Sequence, residues 1–485
     1  MRVMLLCFLA FGASAQSALL IGIDDYTASH LPASGTPAPG REWPDLPGPV
    51  NDVRAFATVL PPSTKIVTLT NQDATRAAIL QALERLARDA RRDEVVLFYF
   101  SGHGSQVRNS LSDERDRLDE SLVPADSRRG ARDIRDKELR PHFNRILDRG
   151  ARLVVILDSC HSGSGARAMR PRGIAADLRD VADRSRHPRP EDRGALVLSA
   201  TQDFDLAFDM RVDGKFQGVF SWALLQALRD AFDESAEETF LRAQALVKRV
   251  RRDQEPVLAG NAAARRRPLF GARIERADRV VVAISQVRED VVLQGGWAHG
   301  LSVGSTLHAG DVTLTVTELC GPALSIARAS SNTLRPGALA IVDAPDPRWR
   351  TLASPPSPYR LHIFNGDVIA HHLIGGRRYE LRARAVRASG EPHYLYAFAI
   401  DSAGTTTLLF PRHGSVENRF RASGDIPLAH FRAVPPYGID TFVLLATDTP
   451  LPNPWVLQRD GVRGVARTSW SVTTLQIPNR GVSNQ

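Results

Sequence analysis

The chain has 485 residues, a formal charge of +8, and 43% hydrophobic against 24% charged side chains. That length exceeds one ordinary core, and that balance excludes a disordered chain. Past the first residues no apolar run reaches the ~20 positions of a membrane helix. The basic excess is arginine scattered along the chain, lysine being confined to Lys65, Lys137, Lys215 and Lys248. With no zinc-finger, RNA-recognition or helix-turn-helix pattern beside it, that charge gives no reason to expect a nucleic-acid partner.

In chain order, Met1–Ala15 reads as a signal peptide: Arg2, the apolar Leu5–Phe11, then small residues at Ala13-Ser14-Ala15. An exported chain, periplasmic or secreted and without a transmembrane segment, is the expectation. Cys7 would leave with that segment. The remaining Cys160 and Cys320 fall in separate expected domains, so a reactive thiol explains Cys160 better than a disulfide does, and Cys320 reads as a buried packing residue. An opening strand, ALLIGIDDY (Ala18–Tyr26), is followed by an amphipathic helix over Val53–Leu60 and a strand over Ile66–Leu69. Thr75–Arg92 carries Ile79, Leu83, Leu86 and Ala90 at helical spacing, with Asp73 or Thr75 as cap. Two further apolar runs, Val95–Phe100 and Leu153–Leu157, flank a helix near Lys137–Leu147. Ala195–Ser199 then resumes the sheet before helices at Phe220–Arg229 and Glu237–Arg251. Such alternation predicts a mostly parallel sheet covered by helices on both faces.

Chemistry concentrates at two strand exits. SGHG places His103 just past one buried run, and LDSCHSG places Cys160 just past another. In an open parallel sheet, reactive groups gather beyond the carboxyl ends of neighbouring strands. A His beside a Cys there makes a nucleophile: the imidazole takes the thiol proton and its charge stabilises the thiolate. An inert packing cysteine is the plainer alternative.

SGHG and DSCHSG together resemble the metacaspases and their bacterial relatives, which share the caspase fold. ALLIGIDDY, LPGPVNDVRAF (Leu46–Phe56), DERDRLDESLVPAD (Asp113–Asp126) and GVFSWALLQAL (Gly218–Leu228) extend the likeness over roughly residues 18–272. The resemblance implies an α/β caspase-like fold and a cysteine endopeptidase. In it His103 and Cys160 act as the dyad, His161 is not the base, and the backbone amides of Gly104 and Cys160 form an oxyanion hole. It also implies a basic-selective pocket of Asp52, Ser101 and Asp158, hence cleavage of protein or peptide substrates after Arg, then Lys. For Asp52 an N-cap role in the following helix is the competing reading.

Calcium, which many metacaspases require, would fall to Asp116, Asp119 and Asp136. Lys137 and Arg167, however, stand where the family has ligands, and a solvated acidic loop paired with Arg115 and Arg117 explains the same residues. No cofactor is therefore counted as required. Residues 164–193, rich in Arg, Pro, Gly and Asp, read as an exposed loop. Arg167, Arg170, Arg172, Arg179 and Arg184 make that loop a candidate for self-cleavage, against the alternative of an unprocessed linker.

From about Asp278 the texture becomes short alternating strands. The expected division is a signal peptide at 1–15, a peptidase domain at 16–276, a small β-rich segment at 277–345, a β-sandwich-like domain at 346–472 and a tail at 473–485. In the last domain YLYAFAIDSAGTTTLLFP (Tyr394–Pro411) and PPYGID (Pro435–Asp440) resemble a bacterial domain of unknown function found behind caspase-like peptidases. Two other functions fit parts of this sequence. One is a catalytically silent caspase-fold interaction module working through the C-terminal β domain. The other is an Asn-directed legumain-like peptidase, against which stand Gly102 and the paired pocket carboxylates.

Overall fold

Alternating apolar residues fix which face each strand of the central sheet presents. In β1 (Gln16–Gly22), Ala18 and Leu20 join one apolar cluster while Leu19 and Ile21 join another. In β3 (Val95–Ser101), Leu97 and Tyr99 face the first cluster, and Val96, Phe98 and Phe100 the second. Both faces are dry because helices cover both, as a parallel sheet requires. The first cluster takes Val53 and Phe56 of α1 (Pro49–Val59), with Phe220, Leu224 and Phe240 from two later helices. The second takes Ile79 and Leu83 of α2 (Arg76–Asp89) with Phe143 and Ile146 of α3 (Asp136–Asp148).

The computed structural model describes residues 16–26, 45–112, 114, 116–127, 130–160, 172–184, 187–201, 206–230, 234–270, 279–320, 323–343, 357–386, 391–401, 405–411, 418–451, 454 and 470–480. The expected signal peptide, Asp113, Arg115, His161, Arg167 and Arg170 lie outside them. Besides β1 and β3, the sheet contains β2 (Lys65–Thr70), β7 (Arg152–Asp158), β8 (Leu196–Ser199) and β11 (Val257–Ala259). Their order is β11-β8-β7-β3-β1-β2, parallel throughout except for β11. A side sheet of β4 (Gly104–Arg108), β5 (Leu118–Leu122) and β6 (Ile134–Arg135) stands over the carboxyl end of β3. A hairpin of β9 (Asp209–Val212) and β10 (Lys215–Gly218) leads into α4 (Val219–Asp230), and α5 (Ala236–Val250) follows.

Thr75 caps α2 by accepting from the Ala78 amide, as its position before an apolar-periodic run predicts. The cap of α1 is Gly48, not Asp52: the helix begins at Pro49, and Asp52 lies one turn in with its carboxylate turned to the sheet. Nor is residues 164–193 an exposed loop throughout, for Arg172, Ile174 and Asp177 are buried.

The C-terminal half is β-rich. Six strands, β12 (Val281–Val287), β13 (Val291–Gln294), β14 (Thr306–Ala309), β15 (Val312–Leu319), β16 (Ser325–Ala329) and β17 (Leu339–Val342), close into a barrel around Ile284, Leu293, Trp297 and Leu314. Beyond it lie a four-stranded and a larger sheet, whose Ile363 and Leu381 share an apolar cluster with Leu395, Phe442 and Leu444. The final strand, Trp470–Arg480, pairs along Gly438–Thr447 and runs straight through the expected boundary at 472/473. Cys320 is exposed, not a packing residue, because it sits just past the end of β15. No helix among the described residues is long and apolar enough to cross a membrane.

Candidate active site

β3 and β7 are parallel neighbours in a register that sets Ser101 opposite Asp158. His103 and Cys160 are each two residues beyond that pair, so the sheet delivers them to matching exits, and both are fully buried. The His103 amide donates to the Tyr26 hydroxyl at 2.8 Å, and the two rings lie 4.6 Å apart, tilted by 50°. The Cys160 Sγ accepts from the Ala207 amide at 2.7 Å. Burial pushes the thiol up to about 12, against the pull of the Ala207 and Arg172 backbone hydrogen bonds. At neutral pH it is therefore a protonated thiol in this arrangement.

The backbone is pinched at this point. A Cβ on Gly104 would stand 2.0 Å from the Cys160 carbonyl oxygen, so no larger residue fits there without moving one strand exit from the other. Through this approach the amides of Gly104 and Cys160 converge on one acceptor, the carbonyl oxygen of Arg172, at 3.0 and 2.9 Å.

The three pocket residues read from the sequence also come together, and Arg172 is what they hold. Its guanidinium, with no exposed surface, lies 2.9 Å from Asp52 Oδ2 and 3.2 Å from Asp158 Oδ1. It also donates to Ser101 Oγ at 2.7 Å and to Asp209 Oδ1 at 2.5 Å. Two of the three carboxylates are fixed from behind. Asp52 accepts from the Ser101 hydroxyl and the Gly218 amide at 2.9 and 3.0 Å, and Asp158 from the Ser221 amide and hydroxyl at 3.0 and 2.6 Å. Burial works against the charge on Arg172, but Asp158, Asp209 and Asp52 outweigh it and hold the guanidinium more firmly protonated than usual. Asp52 is pushed up to about 7, burial prevailing over the attraction of Arg172. Glycines make the room: a Cβ at Gly218 would meet Asp158 Oδ2 at 2.2 Å, and one at Gly48 would meet Asp209 Oδ1 at 2.2 Å.

Sequence reasoning missed Arg172 as a site residue, and it missed Asp209 and Ser221. Gly218 and Ser221 lie in the GVFSWALLQAL block, which pointed to them without assigning a role. Nothing around Asp209 marked it.

The candidate calcium residues do not converge. Asp119 is buried, and its oxygens accept from Lys137 Nζ at 2.6 Å, Ser112 Oγ at 2.6 Å, Asn109 Nδ2 at 2.7 Å and Arg135 at 3.0 Å. Those hydrogen bonds outweigh burial and hold its carboxyl below the usual range. Burial disfavours the Lys137 ammonium, but Asp136, Asp119 and Glu114 more than compensate. Asp136 pairs with Arg140, and Asp116 accepts from the Leu118 amide at 3.0 Å. Among the described residues no group of three His, Cys, Asp or Glu side chains could hold a metal ion. The donor set therefore does not fit calcium: two protein cations already occupy the oxygens of Asp119.

Paired exits carrying His103 and Cys160, with two amides aimed at one carbonyl oxygen, thus lie together at the carboxyl end of this sheet. The family profile described as "Caspase domain" matches residues 15–266, just over half of the chain, which belongs to that family. Metacaspase-1A of Aspergillus oryzae is 27% identical over 267 residues, covering 44% of this chain and 60% of that protein. Metacaspase-1 of Coccidioides immitis is 28% identical over 237 residues, covering 38% and 51% respectively. The chain thus spans between half and 60% of the length of these curated relatives. A solved structure of a Geobacter sulfurreducens protein aligns with 54% of this chain and 100% of its own, at 22% identity and a TM-score of 0.40.

Proposed function

We propose that this chain is a cysteine endopeptidase that cleaves after arginine, and lysine less well, and that it is kept latent by its own Arg172. One observation carries the reading. Arg172 holds its side chain among three carboxylates and its carbonyl oxygen on the Gly104 and Cys160 amides. That is what a substrate arginine must do immediately before the bond to be cut.

In the forward reaction the Cys160 thiol, its proton passed to His103, attacks the arginine carbonyl carbon. The negative charge that develops on oxygen falls on the two amides, each worth about 10²–10³ in rate. The C–N bond breaks, His103 returns the proton to the leaving amine, and a thioester remains on Cys160. Water, deprotonated by His103, then attacks the thioester, and the carboxylic acid and free thiol are regenerated. Preference for arginine over lysine follows from the planar fork, which reaches Asp52, Asp158, Asp209 and Ser101 at once, whereas an ammonium is a single point. The Arg172–Gly173 bond is the self-cleavage site this reading assigns. The high-lying thiol accounts for its persistence while the segment is seated.

The direct test is hydrolysis of matched amides ending in Arg, Lys, Asp and Asn, with mass spectrometry of the chain in the same samples. Arginine turnover together with a cut after Arg172 is the expected result. Turnover of the Asp or Asn amide instead would replace the proposed specificity. Because Lys137 and Arg135 already neutralise Asp119, the arginine rate is expected to be unchanged by EGTA or by added calcium. A rate that collapses with the chelator and returns with calcium would refute this part.

A further inference from the structure

The chain following Arg172 adds a strand to β4, and it does so on the leaving-group side of the site. The Ile174 amide donates to the Gly104 carbonyl at 3.0 Å, and the Asp177 amide to the Gln106 carbonyl at 2.7 Å. In return the Arg108 amide donates to the Asp177 carbonyl at 2.8 Å, and the Val181 amide to the Arg108 carbonyl at 3.1 Å. Between these, the Ser105 hydroxyl reaches the Ile174 and Ala175 carbonyls at 3.3 and 3.0 Å. The pairing is parallel, with bridges Gly104–Gly173 and Val107–Asp177. β4 has β5 on its other edge, so this edge is the one open to an added chain.

Side chains along the segment differ sharply. Ile174 is 5% exposed and belongs to the apolar cluster of Tyr26, Leu46 and Val123, whereas Leu178 is 69% exposed. Asp177, also buried, pairs with Arg179 of the same segment. The first side chain past the bond that the fold buries is therefore Ile174, two residues beyond Arg172.

We propose that the enzyme selects substrates on the leaving-group side: an extended peptide added to β4, with an apolar residue at the second position after the cleaved bond. The substrate class is a polypeptide presenting arginine, a small residue, then an aliphatic residue in an extended stretch. Backbone bonds to β4 supply affinity and the Ile174 position supplies choice, which is the division of labour in strand addition generally. The inference rests on the arginine-peptidase reading.

The test uses the full chain carrying Ile174→Asp, which unseats its own segment, or Ile174→Ala if the first variant melts well below the parent. An arginine amide with no leaving-side residues is compared with three internally quenched peptides. These continue after arginine as Gly-Ile-Ala-Ala, as Gly-Asp-Ala-Ala, and as the first sequence with the Ile nitrogen methylated. The variant is expected to hydrolyse the amide faster than the parent, since the cleft is vacated. The Ile peptide is expected to exceed the Asp peptide by about tenfold or more in kcat/KM, because burying an unpaired carboxylate is costly. Methylation is expected to lower kcat/KM by about tenfold through loss of the bond to Gly104. Amide turnover with equal rates for all three peptides would overturn the leaving-side proposal and leave the arginine reading standing. Turnover of neither amide nor peptides would remove both.

Discussion

Cys160→Ala is expected to leave the bond after Arg172 intact and to reduce arginine-amide hydrolysis to background, a fall on the order of 10⁵–10⁶-fold. No other substitution is expected to cost as much, because it removes the atom that forms the covalent intermediate. His103→Ala is expected to come close to it, since the two act as a unit and their losses do not add. The folding control is available in the structure. The Ala207 amide loses its acceptor in Cys160→Ala, so a modest stability loss of about 1 kcal/mol should accompany the inactivation. An inactive protein of near-parental melting temperature assigns the loss to chemistry. Hydrolysis that persists in Cys160→Ala would mean another nucleophile, and the assignment of this site would be wrong. Iodoacetamide gives a second view. The thiol is fully buried and pushed up to about 12, so the intact chain should alkylate slowly, and Ile174→Asp should alkylate faster as the segment leaves.

Much of this site was legible because strand exits have a local signature. Val95–Phe100 and Leu153–Leu157 are continuous apolar runs that stop in small and polar residues, so the sequence alone sets His103 and Cys160 at the exits of two buried strands. The register between Ser101 and Asp158 then followed from sheet pairing. Arg172 was not legible as a pocket residue for the opposite reason. It lies in a stretch whose Arg, Pro and Gly content reads as solvated, and what surrounds it is three carboxylates from α1, β7 and β9, which lie 120, 14 and 37 residues away in sequence. Asp52 was ambiguous between cap and pocket because both roles use the same residue type beside a helix start. Only the position of Gly48 as cap separates them. The barrel had no sequence signal either, since alternation along β12–β17 marks strands but says nothing of closure.

The pocket is where charge should decide most. Asp158→Asn keeps the hydrogen-bonding shape but removes the charge of one of the three carboxylates around the guanidinium. Ser221 still has an oxygen to donate to, so the loss is expected to fall on the bound arginine rather than on the fold. Breaking a buried charge pair costs about 2–5 kcal/mol, and kcat/KM for the arginine amide should fall on the order of 10²–10³-fold. Because Arg172 is held by the same group, the variant should also lose latency, so alkylation of Cys160 should speed up while arginine turnover slows. A merely structural role for Asp158 would not move those two readings in opposite directions.

Asp52 adds a pH dependence with a definite sign. Burial pushes its carboxyl up to about 7 even with the Arg172 guanidinium beside it, so its ionised fraction grows as pH rises across the neutral range. Only the ionised form attracts the substrate guanidinium, and KM for the arginine amide is expected to fall as pH rises through 7. In Asp52→Asn that step should vanish, leaving KM high and flat, while any pH dependence of kcat set by the dyad remains. A step that survives in Asp52→Asn would assign the titration to another group.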